Sequence, residues 1–122
     1  MKKKILFVED ETFLVDMMKE RLELNGYEMV AAYDGEEGLK KVEQEKPDLI
    51  ILDSMMPKLD GFTVCRRVKA DPKTKNIPVI IISAADRTEL AKKSLSSGAD
   101  DFLVKPYESE ELLERIVKFI GV

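Results

Sequence analysis

Lys46-Pro47-Asp48-Leu49-Ile50-Ile51-Leu52-Asp53-Ser54-Met55-Met56-Pro57 is an apolar run bracketed by prolines that ends abruptly on a carboxylate. From Leu49 to Leu52 every position is apolar rather than every second one, the pattern of a strand covered on both faces at the centre of a parallel sheet. Asp53 then falls at the carboxyl end of that strand. Ligands of open α/β sheets bind in the crevice outside this edge, so a carboxylate fixed there is a candidate for chemistry. Alone, an Asp after a strand is more often a solvated turn residue or a helix cap. What changes that balance is the set of residues the other strands deliver to the same edge.

Outward from this run, short apolar segments alternate with amphipathic ones. Lys4-Ile5-Leu6-Phe7-Val8 reads as a buried strand stopped by Glu9-Asp10-Glu11, and Thr12 to Asn25 as a helix closed at Asn25-Gly26. Tyr27 to Tyr33 is a second strand, after which Asp34 caps a helix that runs to Glu45 and that Pro47 keeps from continuing. Beyond the central strand, Pro57 to Gly61 is a turn, and Phe62, Val64, Cys65 and Val68 mark a helix that ends near Asp71-Pro72. Pro78 to Ser83 is a fourth strand, Arg87 to Ser97 a helix closed by Gly98, and Phe102 to Lys105 a fifth strand. Glu110 to Ile120 is a last helix with Leu112, Leu113, Ile116, Val117 and Ile120 facing inward. Strict alternation of this kind means βαβ units with right-handed crossovers. It predicts an α/β fold, a doubly wound five-stranded parallel sheet in the flavodoxin-like order 2-1-3-4-5, flanked by five helices.

Composition bounds the function. The 122 residues suffice for one domain, residues 1-122, with a single buried core. A net charge of -4 argues against nucleic acid or an anionic membrane as partner, since either needs a clustered positive face. No run of about 18 apolar residues is present to span a bilayer. Met1-Lys2-Lys3-Lys4 is followed by too short an apolar stretch for a signal peptide, so a cytoplasmic location is expected. The lone Cys65 sits among apolar helix positions and is expected to be buried rather than reactive. The absence of histidine removes His-based zinc sites, Ser-His and Cys-His nucleophile pairs and any phosphohistidine on this chain.

In the 2-1-3-4-5 order, the residues leaving the carboxyl ends of the first, third, fourth and fifth strands are Glu9-Asp10, Asp53, Ser83 and Lys105, and they converge on one crevice. Three carboxylates so placed repel one another unless a cation or proton intervenes. Mg2+ resolves this, because it prefers oxygen ligands and commonly binds one or two carboxylates together with phosphate oxygens. Lys105 adds a point positive charge and Ser83 a hydroxyl donor. The assembly suits a carboxylate nucleophile that accepts a phosphoryl group.

The whole chain resembles the receiver domain of two-component response regulators. The residues that carry the resemblance are Val8-Glu9-Asp10-Glu11, Leu52-Asp53-Ser54-Met55-Met56-Pro57 with Asp60-Gly61, Ile82-Ser83-Ala84, and Gly98-Ala99-Asp100-Asp101-Phe102 with Lys105-Pro106. Each segment is weakly diagnostic alone; four in this order and at these separations are highly specific. The resemblance implies that Asp53 is the phosphoacceptor, that Glu9 and Asp10 are the acidic metal pair, and that the backbone carbonyl of Met55 is a third metal contact. It implies further that Ser83 and Phe102 are the switch residues, that Lys105 is the family's lysine, and that the Lys105-Pro106 bond is cis. Glu9 stands where the family often has Asp, and Phe102 lacks a hydroxyl.

The implied partner is a sensor histidine kinase or phosphotransfer protein, docking on the first helix and around Pro106-Tyr107. That helix carries Phe13, Leu14, Val15, Met17 and Met18, more apolar residues than one buried face needs, so part of the group is expected to be exposed, with Val15 as the test position. The downstream target is unspecified, and a monomer or a weak phosphorylation-dependent dimer is expected. With no effector segment after Val122, a diffusible single-domain regulator or relay intermediate is expected, its chemistry confined to its own phosphotransfer and slow autodephosphorylation. Rival readings come from other classes. A haloacid-dehalogenase-like phosphatase needs an acid two residues after the nucleophile, where this chain has Met55. A flavodoxin-like cofactor binder needs a phosphate loop where this chain has Glu9-Asp10-Glu11, and a nucleotide switch needs a Gly-rich loop with Lys-Ser/Thr. A pseudo-receiver, keeping the fold as an interaction module without phosphorylation, is opposed by intact Asp53 and Lys105.

Overall fold

In the computed structural model, which describes residues 1–122, strands and helices alternate without exception: β1 (Lys4–Val8), α1 (Thr12–Leu24), β2 (Glu28–Ala32), α2 (Gly35–Glu45), β3 (Leu49–Asp53), α3 (Gly61–Ala70), β4 (Val79–Ser83), α4 (Arg87–Ser97), β5 (Asp101–Val104) and α5 (Ser109–Ile120). The five strands form one sheet in the order β2-β1-β3-β4-β5, and every pairing is parallel. The expected topology is the observed one. β3 lies in the middle, Leu52 in register with Val8 on one side and Ile81 on the other. All five of its residues are buried, which is why its sequence lacks alternation.

The helices cover both faces, so two cores form. Ile5, Phe7, Ile51, Ile80 and Ile82 meet Val15, Met18 and Leu22 of α1 and Leu112 and Ile116 of α5. On the other face, Leu6, Val8, Ile50, Leu52 and Ile81 meet Val42 of α2, Val64 and Val68 of α3, and Leu90 of α4. Cys65 is buried in this second core, as expected. At roughly 1.5–3 kcal/mol for each large apolar side chain fully removed from water, these two layers are the main stabilising contribution.

Local chemistry sets the helix ends. Asp34, Asp60 and Asp86 cap α2, α3 and α4 by accepting the backbone N–H three residues on, from Glu37, Thr63 and Glu89. Gly98 ends α4 with φ +83, in the left-handed region that glycine occupies without strain. Gly61 has a different reason to be glycine: a Cβ there would collide with the carbonyl oxygen of Asp53. The turn after β3 closes that tightly on the strand end, with the Gly61 N–H donating to the Ser54 carbonyl.

Two expectations are corrected. Val15 is not an exposed docking residue; it is 2% exposed and lies in the core, whereas Phe13 and Met17 face outward. Val117 does not face inward either, being exposed beyond the buried pair Leu112 and Ile116. In both helices the apolar residues outnumber the positions that a single face can cover, and the hydrophobic pattern alone does not say which ones are left out. The Lys105-Pro106 bond is cis, as expected. No helix is long and apolar enough to cross a membrane.

Candidate functional site

At the carboxyl edge of the sheet, β1, β3 and β5 each deliver a charged side chain to one crevice. The carboxylate oxygens of Glu9, Asp10 and Asp53 lie within 4.8 Å of one another. Lys105 reaches across from the end of β5, its Nζ 3.0 Å from Asp53 Oδ1 and 3.7 Å from Glu9 Oε1. The backbone fixes the carboxylates from the other side: the Glu11 N–H donates to Glu9 Oε2 at 3.1 Å and the Met55 N–H to Asp53 Oδ2 at 3.2 Å. Glu9 and Asp53 are buried, while Asp10 stands exposed at the mouth.

The electrostatics follow from this burial. Loss of hydration pushes the Glu9 carboxyl up to about 7, against the pull of the Glu11 N–H; the charge of Asp53 and the hydrogen bond with Asp10 push the same way as burial, and Lys105 opposes them. Burial also works against the charged form of Lys105, but its hydrogen bond to Asp53 and the charges of Asp53 and Glu9 outweigh it, so the ammonium is held above the ordinary lysine value. Three carboxylates thus face a single ammonium. The donor set is all hard oxygen, and the group can hold a metal ion.

From the carboxylates a groove of about 560 Å³ runs along α1 to Arg21, walled by Leu14, Met17 and Tyr107. Burial raises the Tyr107 phenol above its usual value, with Arg21 and Lys105 opposing.

Ser83 and Phe102 stand apart from the cluster. The Ser83 hydroxyl oxygen accepts from the Ser54 hydroxyl at 2.7 Å and from the Ala85 N–H at 3.0 Å, with no hydrogen bond to Asp53. Phe102 is packed against the second core, with the Arg87 guanidinium 5.6 Å from its ring centre. The Met55 side chain points into solvent, 78% exposed, so only its main chain adjoins the site. In the sequence Ser54 stands in the motif around Asp53 without a role of its own, and Arg87 stands in no motif. Ser54 was reachable, because one step past the Asp53–Ile82 register pair it falls beside Ser83. Arg87 gave no signal, since a cation in the first turn of a helix opposes the macrodipole and carries no motif.

The family model described as "Response regulator receiver domain" matches residues 5–117. The Bacillus subtilis alkaline phosphatase synthesis transcriptional regulatory protein PhoP is 43% identical over 116 residues, covering 95% of this chain and 48% of that protein. The chain therefore spans about half the length of the curated relatives it matches. Among solved structures, a putative response regulator from Chloroflexus aurantiacus superimposes with a TM-score of 0.94 at 32% identity, each chain covered in full. The receiver domain of the sensor histidine kinase PA1611 from Pseudomonas aeruginosa, solved with a magnesium ion coordinated in its active-site cleft, gives 0.90 at 27% identity, again with both chains covered in full. With the sheet order, the carboxylate cluster and matches of this extent all in agreement, the chain belongs to the response regulator receiver domain family of two-component systems.

Proposed function

We propose that this receiver takes a phosphoryl group onto Asp53 from a phosphohistidine donor, a sensor histidine kinase or phosphotransfer protein, and passes the signal to a partner by a change of conformation. The observation that carries the reading is the 3.0 Å contact of Lys105 Nζ with Asp53 Oδ1, inside a cluster where Glu9 and Asp10 lie within 4.8 Å. Asp53 is the nucleophile. Lys105 holds its carboxylate in place and offers a positive charge to a phosphoryl oxygen. Glu9, Asp10, Asp53 and the Met55 carbonyl are the residues that would hold Mg2+, which when bound neutralises the carboxylates and the incoming phosphate. Ser83 and Phe102 are the switch residues. The chain's own chemistry is limited to this phosphotransfer and to slow hydrolysis of the product.

The groove beside α1 fits the approach of a phosphohistidine to Asp53, with exposed Phe13 and Met17 at its edge for docking. The net charge of -4 and the lack of a membrane-crossing helix accord with a cytoplasmic protein that contacts other proteins through this domain rather than nucleic acid or lipid. It acts as a monomer or a weak phosphorylation-dependent dimer. A pseudo-receiver would share the fold, but the intact Asp53–Lys105 pair favours the phosphoacceptor.

The test uses acetyl phosphate and Mg2+. Intact-mass measurement should show one phosphoryl group added to the wild type and none to Asp53→Asn. Undiminished labelling of the Asn variant, or no labelling of the wild type, would refute the assignment.

A further inference from the structure

Asp53 and Ser83 rise from opposite faces of the sheet. Alternation along β3 and β4 puts Ile51 and Ile82 in the core under α1 and α5, and Leu52 and Ile81 in the core under α2, α3 and α4. By the same alternation Asp53 belongs to the first face, while Ser54 and Ser83 belong to the second. Their hydroxyls meet there, 2.7 Å apart, in residues that are only 4% and 3% exposed. The Ser54 backbone is fixed at both ends, its N–H donating to the Ile82 carbonyl and its carbonyl accepting from the Gly61 N–H, each at 3.0 Å. Its hydroxyl has no partner other than Ser83.

We propose that Ser54 is a positioning residue, a latch that holds the Ser83 hydroxyl in its resting place and sets how readily the β4–α4 loop moves toward a phosphoryl group on Asp53. This rests on the reading of Asp53 as phosphoacceptor. A serine hydroxyl has one proton and two lone pairs. In the resting state the two lone pairs of Ser83 accept from the Ala85 N–H and from the Ser54 hydroxyl. To reach a phosphoryl oxygen on the other side of the sheet edge it must leave both, and Ser54 is then a buried hydroxyl without a partner, which is costly. The charge-assisted bond to the phosphoryl oxygen offsets that cost. The hydroxyl pair therefore biases a two-state loop toward rest. Alanine at position 54 has no hydroxyl to orphan, so it removes the bias.

The test titrates beryllofluoride, a phosphoryl mimic that binds a carboxylate, in the presence of Mg2+, and reads amide resonances. Ser54→Ala should bind it about fivefold more tightly than the wild type, the effect of one ordinary buried hydrogen bond. Affinity for Mg2+ alone should stay within about twofold. In a Ser83→Ala background the same substitution should change nothing, because the latch acts through that hydroxyl. A gain of affinity is a readout that damaged packing does not produce. Unchanged or weaker binding by Ser54→Ala overturns the latch, as does a gain that persists without the Ser83 hydroxyl. The wild type supplies a check independent of any variant: the Ala85 amide should shift and exchange faster as it loses its Ser83 acceptor. An Ala85 amide that stays unchanged while the neighbours of Asp53 respond overturns the latch and leaves the phosphoacceptor reading intact. Failure of wild-type beryllofluoride binding overturns both.

Discussion

Three carboxylates, Glu9, Asp10 and Asp53, share their crevice with one ammonium, and the imbalance has measurable consequences residue by residue. Glu9 carries the largest, because burial raises its carboxyl from an ordinary 4.5 to about 7. Between these values the folded chain keeps a proton that the unfolded chain has lost, so stability falls as pH rises through that window. The loss amounts to roughly 3 kcal/mol at most, from 1.36 kcal/mol per pH unit. Urea unfolding without divalent ions at pH 5, 6, 7 and 8 should therefore show declining midpoints for the wild type and a flatter series for Glu9→Gln. Parallel slopes in the two proteins would mean that Glu9 is not the group responsible. A second consequence concerns the lifetime of the phosphoryl group proposed on Asp53. Hydrolysis needs a water held in line, and the side chains two residues beyond Asp53 and Ser83 are Met55, which points into solvent, and Ala85. Neither can orient a water by hydrogen bonding. Met55→Asn combined with Ala85→Glu should shorten the lifetime by about tenfold, the order expected from positioning one reactant. Decay of the phosphorylated mass after removal of acetyl phosphate measures it, and equal half-lives would reject the argument.

Among the elements, α1 is where sequence and structure diverge most. Its pattern supplied a helix of the right length but not its orientation: Phe13 and Met17 face out while Val15, Met18 and Leu22 face the sheet. The residues needed to separate them lie on other elements, since burial of Val15 depends on Leu112 and Ile116 of α5 and on the strands beneath. Strands behave differently. β3 and β4 were legible because total burial leaves an uninterrupted apolar run, and their carboxyl-terminal residues follow from chain direction alone. That is why the amino-acid pattern alone puts Asp53, Ser83 and Lys105 at one edge. The Ser54–Ser83 bond was harder, because it depends on register, which turn closure at Gly61 helps to fix. With Val15 buried and Met17 exposed, docking on α1 is read at Met17. Val15→Asp would place an unpaired charge in the core and destabilise the fold, so it cannot report on a partner. Met17→Glu, on the rim of the groove, should slow phosphotransfer from a phosphohistidine donor about tenfold or more and leave labelling by acetyl phosphate within twofold. Equal loss with both donors would show that α1 serves the chemistry and not the docking.

For the molecule as a whole, the decisive property is that one sheet divides two cores and also carries the acidic edge. Ile51 and Leu52 are adjacent on β3 yet belong to different cores, so damage to either is transmitted to the same strand and to Asp53 at its end. Ile51→Ala and Leu52→Ala should each cost about 2–5 kcal/mol, and each should lower a single unfolding transition rather than split it, because neither layer has a sheet of its own. The same continuity lets the edge report on global stability. A cation that binds the folded cluster and not the unfolded chain stabilises by mass action, about 2.7 kcal/mol at a hundred times its dissociation constant. For a domain of this size that corresponds to a rise in Tm of roughly 8–16 °C, at about 3–6 °C per kcal/mol. Mg2+ should therefore raise the Tm of the wild type by that order, and should restore part of the stability lost in Ile51→Ala without repairing its cavity. Asp53→Asn combined with Asp10→Asn removes two of the three carboxylates, and its Tm should be indifferent to Mg2+. A Tm rise that survives in this double variant would place the stabilising cation somewhere other than the edge of the sheet.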